Sequence, residues 1–172
     1  MKGIMFKEEL FSQVVFGEKT QTRRMRSVYT FGEELYLKEP YRINNKGEVE
    51  YKHMNLQTDS SIRWNSKMFM PARYARYFIK ITDVRHELLQ EISHDDCLRE
   101  GVRVRSVPID YPVCAHINRN ARKNLYCCLG DDIDYNTPQE AYAALIDRIN
   151  GKGTWDSNPL VTVYDFVKIE KP

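Results

Sequence analysis

The eleven residues from Arg76 to His86, RYFIKITDVRH, alternate apolar and polar side chains at period two. That period puts neighbouring side chains on opposite faces of an extended chain, and a helix, whose faces repeat every 3.6 residues, cannot satisfy it. A long strand through the core is therefore expected, and such a strand needs partners. Four further stretches offer them: Gly3 to Phe6, Glu34 to Glu39, Tyr41 to Tyr51 and Leu160 to Ile169. The third contains Asn44-Asn45-Lys46-Gly47, a hairpin turn signal with a glycine available for positive φ.

Helical signals are fewer and shorter. Lys7 to Phe16 spaces Leu10, Val14 and Val15 for one helix face, and Gly17 follows where a left-handed stop is wanted. Leu88 to Ile92 reads as a helical turn. Ser93 with Asp96 is a capping signal for a short helix ending near Gly101. Thr137-Pro138-Gln139-Glu140 places cap, proline and N3 acid at a helix start, after which Tyr142, Leu145, Ile146 and Ile149 form a buried stripe and Gly151 ends it. A few short helices around several strands predict an α+β fold on a small, strongly bent sheet or barrel. Parallel winding fits poorly, because too few helices separate the strands. Residues 103 to 136 show no clean period and are read as an irregular insertion in a single domain spanning 1 to 172.

A chain of 172 residues buries roughly 70% of its unfolded surface and needs no staple. No segment approaches the roughly 18 consecutive apolar residues of a membrane span. Acids occupy the N-terminal stretch MKGIMFKEELF where a signal peptide has its apolar run, so a cytoplasmic protein is expected. Cys97, Cys114, Cys127 and Cys128 are then reduced thiols. Cys114, His116, Cys127 and Cys128 lack the two-to-four-residue spacers of zinc sites, so no metal is expected. Neither GxGxxG nor GxxxxGK[ST] occurs, and no cofactor is expected.

The net charge of +2 hides a segregation. Residues 19 to 31 hold Lys19, Arg23, Arg24 and Arg26, and residues 61 to 82 hold Arg63, Lys67, Arg73, Arg76 and Lys80, with no acid in either stretch. With these nine set aside, 17 basic residues face 24 acidic ones in the rest of the chain, a balance of −7. A basic surface on an otherwise acidic protein suits an anionic ligand, RNA or a nucleotide above all. Its centre is Gly17 to Arg24, GEKTQTRR, which leaves a helix end as a loop and enters extended chain at Thr22. Lys19, Arg23 and Arg24 supply charged donors, and Thr20 and Thr22 supply hydroxyls. In a strand Thr22 and Arg24 share one face and Arg23 takes the other, so one arginine is expected to face the ligand and the second to pair with an acid. Trp64, Tyr74 and Tyr77 interleave with the second basic cluster in a manner suited to base stacking.

The same loop resembles the ASCH domains of the PUA-like superfamily, in the versions common in bacteriophages and prophages. Gly17, Lys19, Thr20, Thr22, Arg23 and Arg24 match Gly-x-Lys-Thr-x-Thr-Arg-Arg. Phe31-Gly32-Glu33 with the following strand comes next, then Trp64, Met70-Pro71 and Ala75-Arg76, and finally Ile149-Asn150-Gly151-x-Gly153-x-Trp155-x-x-Asn158-Pro159. The match covers all but roughly residues 103 to 136. It implies a PUA-like β-barrel whose cleft is overlain by the Lys-Thr-x-Thr-Arg loop, with RNA or a modified nucleoside as ligand and with Arg76 as a cleft residue.

Some ASCH relatives remove the acyl group from N4-acetylcytidine using a lysine and threonine of this loop and a glutamate on the long strand. Lys19 and Thr22 match the first two. The glutamate position, two before Thr82, falls on Lys80, which argues against hydrolysis unless Glu39 or Asp83 stands in. Two alternatives thus accompany binding of RNA or a nucleotide: an amidohydrolase for acylated cytidine-type nucleosides, and a phage or prophage module that docks a protein through residues 103 to 136.

Overall fold

The computed structural model describes residues 1–54, 62–108, 122–128 and 133–172. In chain order the regular elements are β1 (Lys2–Met5), α1 (Glu8–Phe16), β2 (Gln21–Arg24), β3 (Glu34–Lys38), β4 (Tyr41–Ile43), β5 (Val49–Tyr51), β6 (Phe78–Leu88), α2 (His94–Arg99), β7 (Arg103–Pro108), β8 (Arg122–Cys127), α3 (Pro138–Asn150) and β9 (Leu160–Ile169). The fold is mixed α+β, with more strand than helix. Among the described residues no set of strands closes into a barrel.

The chain forms two compact units with interleaved sequence. The first comprises Met1–Gly17, Val28–Val84 and Tyr164–Pro172; the second comprises Glu18–Ser27 and Arg85–Val163. The long strands β6 and β9 each contribute to both.

In the first unit β3 lies between β1 and β6. Its pairing with β1 is parallel, Lys2 opposite Leu35 and Met5 opposite Lys38. Its pairing with β6 is antiparallel, Glu34 opposite Lys80 and Tyr36 opposite Phe78. The period-two pattern expresses itself where apolar residues fall on the inner face: Ile79 and Ile81 are buried and Lys80 is exposed. Tyr36, Tyr41, Met70, Ala75 and Phe78 form one core cluster. α1 ends at Gly17, whose φ of 78° is left-handed and whose N–H caps the carbonyls of Gln13 and Val14.

In the second unit β9 is the neighbour of β2. α2 starts on Ser93, whose hydroxyl accepts from the Asp96 N–H at 3.1 Å, and it runs out at Glu100 before Gly101, at φ 108°. α3 begins with a complete capping box between Thr137 and Glu140, with Pro138 in its first turn. α3 packs on α2 and on β8.

The expected irregular insertion is partly regular. β7 and β8 pair antiparallel from Arg103 opposite Cys127 to Pro108 opposite Arg122. Most of β7 is exposed, so no buried face imposed a readable alternation on its sequence.

Candidate functional site

Lys19 lies just ahead of β2, and burial reaches it at once: the residue is only 1% exposed. An ammonium so placed must be paired, because desolvating an isolated charge is prohibitive. Its Nζ donates to Glu100 Oε2 at 2.5 Å and to the Glu100 backbone carbonyl at 2.7 Å. The second bond exists because Glu100 closes α2, leaving a helix-end carbonyl free to accept. Burial pulls the Lys19 pKa below the ordinary lysine value, and the Glu100 carboxylate opposes that shift without cancelling it.

Arg23 meets three acids. Its Nε and Nη2 donate to Glu87 Oε1, its Nη2 to Asp96 Oδ2 at 3.2 Å, and its Nη1 to Glu100 Oε1 at 3.2 Å and to Gln21 Oε1 at 2.5 Å. Burial works against this charge, but Glu100, Tyr142 and Glu87 overcome it, and the guanidinium pKa lies above its ordinary value. Asp96 also accepts from Gln21 Nε2 at 2.9 Å and Arg85 Nη2 at 2.8 Å. Of the cations Lys19, Arg23, Arg85 and Arg99 in this cluster, Lys19 alone carries a group that can give up its proton, since guanidinium groups do not.

The other loop residues surround this pair. Thr22 is buried in β2, 5% exposed. The Thr20 N–H donates to the Arg99 carbonyl at 3.0 Å, and its hydroxyl accepts from Arg99 Nε at 3.4 Å. Arg24 is half-buried.

Trp64, Arg76 and Lys80 belong to the first unit. Arg76 makes a two-pronged pair with the fully buried Glu39, Nε to Oε1 and Nη2 to Oε2, both at 2.7 Å. Its guanidinium lies 4.2 Å from the ring centre of Tyr51 and 4.8 Å from that of Tyr77. Trp64 is half-buried with Arg42 5.4 Å from its ring centre. Lys80 is on the outer face of β6, its Nζ 3.6 Å from Glu34. Both oxygens of Glu39 are thus committed to Arg76.

The carboxylate that meets Lys19 is Glu100, at the end of α2 and not on the long strand where the resemblance implies a glutamate. Its local signal was an acid directly before a helix-ending glycine, Glu100-Gly101. Among the described residues no group of three or more His, Cys, Asp or Glu side chains is arranged to hold a metal; Cys114 and His116 lie outside them, as do Asp131 and Asp132. No described helix is long and apolar enough to cross a membrane. No family model, curated protein or solved structure matches the chain.

Proposed function

We propose that the chain is an amidohydrolase of the ASCH type, on a PUA-like fold, that removes an acyl group from a cytidine-type nucleoside. The observation that carries this reading is the buried contact of Lys19 with Glu100, which supplies the carboxylate that Lys80 denied. A lysine whose pKa burial has lowered, beside a carboxylate and three residues from a threonine hydroxyl, has the makings of a base and nucleophile pair.

In this mechanism neutral Lys19 takes the proton of the Thr22 hydroxyl as its oxygen attacks the acyl carbon. The carbon–nitrogen bond breaks, and the Lys19 ammonium returns the proton to the departing amine of the nucleoside. Water then attacks the acyl-threonine ester, releasing the carboxylic acid and restoring Thr22. Glu100 orients Lys19 and balances its charge while it is protonated. Arg23 holds the other oxygen of Glu100, which fixes the carboxylate in place.

The test is turnover of a panel of N4-acylated cytidines. Wild type should release free cytidine, and Lys19→Ala should lower kcat by about a thousandfold or more. A wild-type protein inert on the whole panel sinks the reading.

Binding of RNA or a nucleotide without chemistry is the second reading, and Arg76 between two tyrosine rings favours it. It expects affinity that falls with salt and falls again in Arg76→Ala. Lys19 and Arg23, by contrast, spend their charge on protein carboxylates, which supports catalysis over phosphate capture.

A further inference from the structure

The same unit contains a buried hydroxyl that bonds to nothing among the described residues. Tyr142, on the inner face of α3, is 1% exposed, and its oxygen has no hydrogen-bond partner among the described residues. The guanidinium of Arg23 lies 5.9 Å from the centre of the Tyr142 ring, and that guanidinium also grips Glu100. A tyrosine with no partner for its hydroxyl is a poor choice for a core, because phenylalanine fills the same ring space without stranding a polar atom. The ring is explained by packing and by Arg23; the oxygen is explained by neither.

We propose that Tyr142 is a catalytic residue whose hydroxyl donates to the acyl oxygen of the scissile amide as negative charge builds there. This rests on the amidohydrolase reading and adds to it the electrophilic partner that Lys19, Thr22 and Glu100 do not provide. Attack at the acyl carbon moves an electron pair onto the carbonyl oxygen, and a donor that has no other bond to break is suited to receive it. The tyrosine does not give up its proton in the step. When the tetrahedral species collapses, the electron pair returns to the carbonyl and the hydrogen bond relaxes. Burial first, and the Glu100 carboxylate after it, hold the Tyr142 pKa well above the ordinary tyrosine value, so the group stays a donor throughout the working pH range.

The experiment compares wild type, Lys19→Ala and Tyr142→Phe on N4-acetylcytidine, with thermal denaturation of each. Tyr142→Phe should have a Tm equal to or above that of wild type, since it deletes an unsatisfied buried group. Its kcat should fall about 100- to 1,000-fold with little change in KM. A kcat within about threefold of wild type overturns the assignment, and so does a lowered Tm with kcat unchanged, which marks a hydroxyl that merely holds a structural water. If Tyr142→Phe does not fold, site-specific replacement of Tyr142 by difluorotyrosine, which keeps the shape and makes the hydroxyl a stronger donor, should change kcat by more than about threefold with little change in KM; an unchanged kcat is equally fatal. Wild type inert on acylated cytidines removes the amidohydrolase reading and this role with it. Turnover that depends on Lys19 but not on Tyr142 removes only the role.

Discussion

Lys19 and Glu100, 81 positions apart in sequence, meet at 2.5 Å with side chains 1% and 5% exposed. Glu100 serves a second cation through its other oxygen, so the two ends of this contact are not equivalent. Glu100→Gln removes the negative charge from both Lys19 and Arg23 and should cost about 3–5 kcal/mol. Lys19→Met leaves Glu100 its bond to Arg23 and should cost less. Urea denaturation of the two variants gives the order; a more damaging Lys19→Met contradicts it.

Arg23 uses the planar fork of its guanidinium to reach Glu87, Asp96 and Glu100 together. Lysine carries the same charge without the fork. Arg23→Lys should therefore lose at least one charge-assisted bond, about 1.5–3 kcal/mol, seen as a lower urea midpoint with the slope unchanged. A midpoint equal to wild type would mean that charge alone suffices there.

Asp96 sets an acid limit. Burial pushes its carboxyl up, but hydrogen bonding from Gln21 and the charges of Arg23 and Arg85 overcome burial and hold it below the usual carboxylate range. A folded pKa below the unfolded one means that its contribution is complete above the unfolded value, about 3.9, and is lost as pH falls through the folded value. Stability measured from pH 6 down to pH 2 should fall less steeply in Asp96→Asn than in wild type, from a lower starting point. Parallel slopes would disprove the linkage.

Cys97 is fully buried, and burial pushes its thiol up to about 12. It should resist alkylation at pH 8 in the native protein and react on unfolding, while the half-buried Cys127 reacts first. Mass spectrometry after timed iodoacetamide treatment reads both; early modification of Cys97 would show that the core around α2 opens readily.

Local signals carried most of the fold. Gly17 ending α1, the Ser93 cap of α2, the Thr137 capping box and the turn at Gly47 all depend on residues within a few positions of one another, and each occurs where the sequence puts it. The strand pair formed by β7 and β8 was illegible because neither strand buries a full face. The site was half legible for a different reason. Lys19, Thr22 and Arg23 stand together in one motif, whereas Glu87, Asp96 and Glu100 read as unremarkable surface acids on a strand end and a short helix. Only the approach of distant chain segments turns those acids into partners. The segregation of charge along the chain implied a free basic patch, and it could not show that acids would come to Lys19, Arg23, Arg76 and Lys80 among its cations.

The interleaving of the two units also sets an order of assembly during synthesis. β2 emerges early, yet the acids that neutralise Lys19 and Arg23 emerge only after the whole of residues 28–84. At bacterial or eukaryotic elongation rates that interval is on the order of several seconds. Throughout it, a nascent Thr-Gln-Thr-Arg-Arg segment destined for the interior is a solvated polycation beside the ribosome. Completion of either unit waits for the C-terminal half of the chain, because the second takes Arg85–Val163 and the first takes Tyr164–Pro172.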